Sequence, residues 1–334
     1  MSIYIIAEIA QGYEGRAEQA AMLVAAASSA GADAAKLQLV YADELATPDY
    51  EHYSLFRKLE MPDSVWIDLK RLAEEKNIDL FLDVFGERSL GLAVSIEARG
   101  IKVHSTDMSN PGLLAAISRT AIDEVLLSVG GCSLGEIDAA LALVGHKRVT
   151  LLHGFQGYPT ATEANQISRL TLLAGRYAGH ASIRLGFADH APPDSILCGM
   201  IPAAALGAGA TFFEKHLTLA KSMKLEDHES ALNPDEFAVF ATALRECSKA
   251  LGVVIDTEEF LGMHEAEHLY RAKTRKHVVA KSALKSGALV SAADIALKRT
   301  SAKDAIQDAR AAIGKRLCRD LSADAPITSS DFSE

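Results

Sequence analysis

The sequence predicts an α/β protein: a (β/α)8 barrel with a small β-rich module behind it. Three observations carry that reading. Short β-rich runs alternate with Ala- and Leu-rich stretches of helical period as far as residue 252, the pattern of repeated strand–helix units on a parallel sheet. Eight such runs occur, the number that closes a parallel sheet on itself. After residue 252 the rhythm breaks, and short strands punctuated by "KSG" and by Ser-x-x-Asp turns replace it.

The first strand is read at 2–9, "SIYIIAEI", and leads into a helix at 17–30. "AAKLQLV" (34–40) is the second strand, and a helix at 63–76 precedes the third, "DLFLDVF" (79–85). "GIKVHS" (100–105) with the helix 111–120 makes the fourth unit, and "EVLLSVG" (124–130) with the helix 134–144 the fifth. "VTLLHG" (149–154), "SIRLGFADH" (182–190) and "TFFEKHLT" (211–218) complete the set, with a closing helix at 235–251. The result is a TIM-barrel domain over 1–252.

In such a barrel the C-terminal ends of the strands share one mouth, so polar residues there look into a common pocket. Every strand ends in at least one: Glu8, Lys36 and Gln38, Asp83, Lys102 and Ser105, Ser128, His153, Asp189 and His190, then Glu214, Lys215 and His216. A single strand-end histidine is more often held by a backbone carbonyl than by a metal. Lys36 and Lys102 are harder to place, because a charge inside an apolar strand is costly without a partner. Ion pairs with Glu8 or Glu214 would account for them; an anionic ligand is the better account of the whole ring.

Residues 253–273 read as a charged linker helix and 274–334 as a compact β-rich module, too small for a large core of its own. Inside it "AKSALKSGALVSAADI" echoes "CRDLSADAPITSSDF", each a strand, a turn and a run ending in an acid. The chain of 334 residues is 49% hydrophobic and 23% charged, ample material for a packed core. A net charge of −10 argues against a nucleic-acid partner, which needs a basic face. The N-terminal apolar run has no basic residue before it and reaches Glu8 early, unlike a signal peptide. No apolar stretch approaches the roughly 20 residues of a membrane span, so a cytoplasmic protein without a membrane partner is expected. Cys132, Cys198, Cys247 and Cys318 show no CxxC spacing and are expected to be reduced bystanders.

Several blocks, in order, resemble the sialic acid (nonulosonic acid) synthases, which join a TIM barrel to a C-terminal antifreeze-like, or SAF, domain. "IIAEIAQGYEG" is similar to "AEIG-x-NH-x-G", "AGADAAKLQ" to "AGADAVKFQ", and "IKVHSTDMSNPGLL" to "KI-x-SGD/E-x-x-N-x-x-LL". "LLSVGG" is similar to "ILSTGM", "LLHGFQGYP" to "LLHCTSNYP", "GFADH" to "GYSDH", and "EKHLTL" followed by "EDHESALNPDEF" to the family's last barrel blocks. The resemblance runs along essentially the whole chain.

It implies condensation of phosphoenolpyruvate with an N-acylated hexosamine-type acceptor, releasing phosphate and giving a nine-carbon keto sugar acid. Phosphoenolpyruvate carries about three negative charges, so lysines and neutral donors must converge on it. By resemblance Lys102, Ser105 and Ser128 hold the phosphate, Lys36 lies near the carboxylate and reacting centre, and Gln38 shares that corner. His190 and His216 match two ligands of a divalent metal, Mn2+ or Mg2+, acting as a Lewis acid, with His228 ranked below them. Glu8, Glu214 and Asp107 match the carboxylates that move protons, and Tyr158, Gln156 and Asp227 the substrate contacts. Arg299 looks like an arginine that reaches into a partner's barrel to read the N-acyl group, which implies a domain-swapped homodimer.

The chain departs from the pattern at several points. Gly12-Tyr13 replace "NH", Gln156-Gly157 displace an Asn, Ala188 replaces a Ser, and "LDVFG" puts Asp83 and Gly86 where "STPFD" has Thr and Asp. The segment after Arg299 lacks "PG-x-GI" and reads as an Ala-rich helix. A carboxylate at Asp83 in a pocket for an anion points to a divergent synthase of surface or spore-coat polysaccharide biosynthesis with an altered acceptor. The rival readings are a metal-dependent TIM-barrel aldolase or lyase, which would not need the phosphate-side residues, and a non-catalytic sugar- or phosphate-binding paralogue. An amidohydrolase would want a His-x-His after the first strand, which "AEIAQ" lacks.

Overall fold

The computed structural model describes residues 2–252 and 263–333, which fall into two compact units on either side of that gap. The first is a closed barrel of parallel strands in sequence order: β1 (Tyr4–Ala10), β2 (Ala34–Gln38), β3 (Asp79–Asp83), β4 (Gly100–Val103), β5 (Glu124–Ser128), β6 (Arg148–His153), β7 (Ile183–Asp189) and β8 (Phe212–His216). β8 pairs back onto β1 in register, Tyr4 with Phe212 through Glu8 with His216.

Alternation along each strand divides its residues between two cores. Outward residues such as Ile5, Ala7, Leu80, Leu82, Val125 and Leu127 pack against the helices. Inward residues Ile6, Ala34, Phe81, Leu126 and Phe212 fill the barrel, with the Tyr4 ring stacked 5.0 Å from Phe212. The bulk of Phe81 requires a bare backbone opposite it: a Cβ on Gly100 would lie 2.2 Å from its ring. Below this layer buried Glu124 is gripped by Arg99 at 3.5 Å, Arg148 at 3.0 Å and Arg184, closing the floor of the barrel.

Local signals start the helices where expected. Ser133 and Glu136 form a reciprocal cap on Leu134–Val144, and Asn233 precedes Pro234–Leu251, with Glu236 Oε2 accepting the Asn233 N–H at 2.8 Å. Helices at 42–45, 53–59, 87–95, 168–177 and 200–207 complete the ring. Among the described residues no helix is long and apolar enough to cross a membrane.

The second unit is built on Val278, Ala280, Val290, Ala312, Leu317, Leu321 and Ile327. β9 (His277–Ala280) and β10 (Ile295–Lys298) pair antiparallel, and Leu284 bridges Leu321, joining the two echoing segments. The Ser-x-x-Asp turn forms as expected: Asp294 Oδ2 accepts from the Ser291 N–H at 2.8 Å. Of the linker helix expected over 253–273, residues 253–262 lie outside the described residues, and Glu265–Thr274 is helical. The Ala-rich helix expected after Arg299 does not form; two isolated turns, Ala309–Ala311 and Ser329–Asp331, are helical among the described residues there. The alanines serve close packing instead, Ala312 in the core and Ala305 bridging Thr328.

Candidate active site

The register of the barrel assembles the site. Glu8 lies beside Lys36 across β1 and β2, Gln38 beside Asp83 across β2 and β3, and Asp83 beside Lys102 across β3 and β4. The inward side chains of Glu8, Lys36, Asp83 and Lys102 meet with that of Glu214 in one buried cluster, while Gln38 is half-buried. Lys36 Nζ contacts Glu8 and lies 2.7 Å from Asp83 Oδ1 and 3.5 Å from Glu214 Oε2. Lys102 Nζ lies 2.9 Å from Glu214 Oε1, 3.7 Å from Asp83 and 3.8 Å from Glu8. Ion pairs therefore account for the burial of both lysines, the explanation that the sequence reading had placed second to a ligand. Three carboxylates against two ammonium groups leave one negative charge in excess when all are ionised.

The cluster splits its carboxyls. Burial pushes Glu8 up to about 8, the charges of Glu214 and Asp83 adding to the effect while Lys36, lying against it, opposes. Burial would raise Glu214 too, but Lys102 and Lys36 outweigh it and hold that carboxyl below the ordinary range. Burial also works against the charge on Lys36 and Lys102, yet Asp83, Glu214 and Glu8 keep both above the usual lysine value.

Beside the cluster stand His190 and His216, ring centroids 5.4 Å apart, with the Tyr158 ring 4.3 Å from His190 and edge-on to His216 at 5.6 Å. His190 Nδ1 faces the Phe155 carbonyl at 2.8 Å and donates to it, which leaves Nε2 available as a ligand. Burial is the main cause that lowers both rings, His190 to about 4, so both are neutral near pH 7 as metal ligation requires. Among the described residues no three His, Cys, Asp or Glu side chains gather in a metal-holding group. The pair offers two neutral ring nitrogens, the donor type that a divalent transition metal takes. His228 Nδ1 is turned to the Leu225 carbonyl at 3.0 Å.

A cleft of ≈ 410 Å³ opens at the mouth. Gln11, Gln38, His104 and Thr106 give it hydrogen-bonding groups, and Leu45, Tyr50, Phe56 and Phe85, from the loops after β2 and β3, give it apolar surface. Tyr158, Glu226 and Asp227 complete the lining. Leu45, Tyr50 and Phe56 also line an adjoining groove of ≈ 570 Å³ with Asp43 and Glu44. Gln11 Nε2 donates to Gln38 Oε1 at 2.7 Å. Burial, with Glu226 and Glu229 nearby, pushes the Asp227 carboxyl up to about 6.

Glu44 fixes this loop. Its carboxylate accepts the Arg88 and Ser89 N–H groups at 2.6 and 3.1 Å, at the start of the helix Glu87–Ser95. A Cβ on Gly86 would come within 2.3 Å of that carboxylate. Where the resemblance has an acid in the strand-three block, a glycine thus admits one from the preceding loop.

The remaining expected residues separate. Ser128 accepts from Gln156 Nε2 at 3.4 Å, and Ser105 opens a short turn, Ser105–Asp107. Asp107 bonds locally, to Asn110 at 3.5 Å and Thr106 at 3.4 Å, and pairs with neither lysine. Arg299 lies in the second unit, where its Nε donates to the Thr274 carbonyl at 3.1 Å. His153, Asp189 and Lys215 do not join the ring: they occupy the outward phase of their strands. His153 bonds the Asn165 carbonyl at 2.9 Å, while Asp189 and Lys215 pair at 3.0 Å among the helix-facing residues. A one-residue step along a strand changes the face, and "ADH" and "EKH" each contain both faces. The same rule would have found His104, two residues beyond Lys102. Nothing in the sequence marks Tyr50, Phe56 or Glu226.

Known proteins resemble the chain in sequence and in fold. The NeuB family model matches residues 23–256 and the SAF domain model residues 275–333. An N,N'-diacetyllegionaminic acid synthase of Legionella pneumophila is 27% identical over 344 residues, covering 97% of this chain and 92% of the relative. The spore coat polysaccharide biosynthesis protein SpsE of Bacillus subtilis is 29% identical over 265 residues, 75% of this chain and 68% of the relative. The crystal structure of an N-acetylneuraminic acid synthetase from Leptospira borgpetersenii in complex with citrate superposes with a TM-score of 0.72 at 26% identity, covering 81% of this chain and 92% of the other.

Proposed function

The chain belongs to the NeuB family, and on that premise we propose that it condenses phosphoenolpyruvate with an N-acylated hexosamine-type aldose, giving a 2-keto-3-deoxy nonulosonic acid and phosphate. The observation that carries the reading is the buried set Lys36, Lys102, Glu8 and Glu214 at the barrel mouth, next to two neutral imidazoles.

In this reading Lys36 and Lys102 receive the anion, with Ser105, Ser128 and Gln156 as neutral donors and Gln38 at the same corner. C3 of phosphoenolpyruvate forms a bond to the aldehyde carbon, and the aldehyde oxygen takes a proton. Water adds to C2 and loses a proton; the C2–O bond to phosphate then breaks, leaving the ketone, with the hydroxyl proton passing to the departing phosphate. Glu8, raised to about 8, is suited to give the first proton; Glu214, bonded by Lys102 at 2.9 Å, is suited to take the water's. Asp107 is assigned no step. Tyr158 and Asp227 orient the acceptor. A divalent ion, Mn2+ or Mg2+, held by His190 and His216 would supply Lewis acidity at the acceptor carbonyl.

The same reading proposes that Arg299 enters a partner's barrel in a domain-swapped homodimer, and that the enzyme serves surface or spore-coat polysaccharide synthesis in the cytoplasm. Phosphate release from phosphoenolpyruvate tests it: release should need both an amino-sugar acceptor and the divalent ion, and should vanish with EDTA. One observation favours a second reading, a non-catalytic paralogue: Asp83 engages both lysines. Phosphoenolpyruvate binding without release under any acceptor would select it.

A further inference from the structure

We propose that Asp189 and Lys215 are positioning residues for the imidazole pair: from the helix-facing side of the sheet, their ion pair fixes the backbone that carries His190 and His216. This deepens, and rests on, the assignment of the divalent ion to those two rings. The place of the charges is the first argument. Leu185 and Phe187 precede Asp189 on the outward phase of β7, and Phe213 and Leu217 flank Lys215 on that of β8 and the residue after it. Those four side chains pack in the apolar core under the helices. Asp189 and Lys215 bring full charges into the same layer, 1% and 0% exposed and 3.0 Å apart.

Stability does not explain them. Taking two charges out of water costs about what their attraction returns, and an apolar pair of similar volume in such a place is commonly no less stable. What an apolar pair lacks is hydrogen bonding, and both charged groups spend theirs on one residue.

That residue is Ala191, which follows His190 beyond the end of β7. It is wholly buried, so its backbone groups need partners inside the fold. Asp189 Oδ1 accepts the Ala191 N–H at 2.9 Å, and Lys215 Nζ donates to the Ala191 carbonyl at 2.9 Å. Asp189 and Lys215 are also register partners across β7 and β8, so their ion pair closes a ring around the His190 backbone. Within that ring the His190 carbonyl accepts from the Thr160 N–H at 2.8 Å and from Ser230 Oγ at 3.0 Å. On β8 the residue after Lys215 is His216, its ring centroid 5.4 Å from that of His190. One ion pair thus joins the two strand ends from which the imidazoles project.

Two double variants of the full chain test this without leaving a charge buried alone. Asp189→Asn with Lys215→Gln keeps an acceptor for the Ala191 N–H and a donor for its carbonyl; Asp189→Leu with Lys215→Met removes both. Mn2+ affinity is read from the resonance of free Mn2+, and the unfolding midpoint from the chelated protein. The apolar variant should stay folded yet bind Mn2+ at least about tenfold more weakly, while the amide variant stays within about threefold of the unaltered chain. An apolar variant that binds Mn2+ normally or does not fold, or an amide variant that loses as much affinity as the apolar one, overturns the proposal. His190→Ala and His216→Ala separate it from the reading beneath it. If they weaken Mn2+ binding and the apolar variant does not, this proposal alone falls; if they leave it unchanged, the ion's assignment falls and takes the proposal with it.

Discussion

Lys36 and Asp83 form an ion pair wholly out of solvent, Nζ to Oδ1 2.7 Å, at the point where the proposed reaction places its anionic substrate. Asp83 also lies 3.7 Å from Lys102, so one carboxylate competes with phosphoenolpyruvate for both ammonium groups. Asp83→Asn should therefore tighten phosphoenolpyruvate binding about tenfold, which corresponds to about 1.4 kcal/mol. Lys36 keeps Glu8 and Glu214 in that variant, so the stability loss should stay within about 1–3 kcal/mol. Titration with phosphoenolpyruvate and urea unfolding read the two effects; weaker substrate binding would show that Asp83 helps to hold the anion.

The imidazole pair makes a separate prediction. His190→Ala and His216→Ala should each lower Mn2+ affinity at least tenfold, measured by the resonance of free Mn2+, while leaving the unfolding midpoint of the chelated protein nearly unchanged. Unaltered Mn2+ binding in both variants would move the metal elsewhere.

Glu44 acts through the loop it ties down. Glu44→Ala removes the carboxylate shared by two N–H groups at the head of Glu87–Ser95 and should cost about 1 kcal/mol of stability. Because Leu45 follows it and lines the cleft, KM for the acceptor should rise while that for phosphoenolpyruvate stays put. Equal changes in the two would indicate a general loss of structure.

Asp227 supplies a pH dependence. Its carboxyl is raised from 3.8 to about 6, chiefly by burial, so the folded chain holds this proton more tightly than the unfolded one. Its contribution to stability is accordingly complete below about 4 and is lost as pH rises through about 6. If the carboxylate accepts an acceptor hydroxyl, acceptor binding moves the opposite way and strengthens over the same interval. Asp227→Asn should flatten that rise; a profile unchanged by the substitution assigns it to another group.

Much of this was legible in the sequence because barrel strands announce themselves as short apolar runs alternating with helical stretches. In "DLFLDVF" Val84 and Phe85 look like strand residues, yet β3 ends at Asp83 and both already belong to the loop. What the sequence could not show was which strand-end residue faces inward. His216 and Lys215 are neighbours in the chain and lie on opposite sides of the sheet, and only the register with Glu8 on β1 decides between them. The apolar lining was hidden for another reason: Tyr50 and Phe56 sit beside and in the short helix Tyr53–Leu59, too short for its periodicity to distinguish a binding surface from a core.

The proposed reaction joins C3 of phosphoenolpyruvate to an aldehyde and expels phosphate from C2. Phosphoenolpyruvate carrying a heavy oxygen isotope at the bridging position, supplied with Mn2+ and the best-binding acceptor, tests that directly by mass spectrometry of both products. The heavy oxygen should appear in inorganic phosphate, with an unlabelled keto sugar acid and no reaction without acceptor. Heavy oxygen retained in the organic product, or phosphate released at the same rate without acceptor, would contradict the proposed reaction.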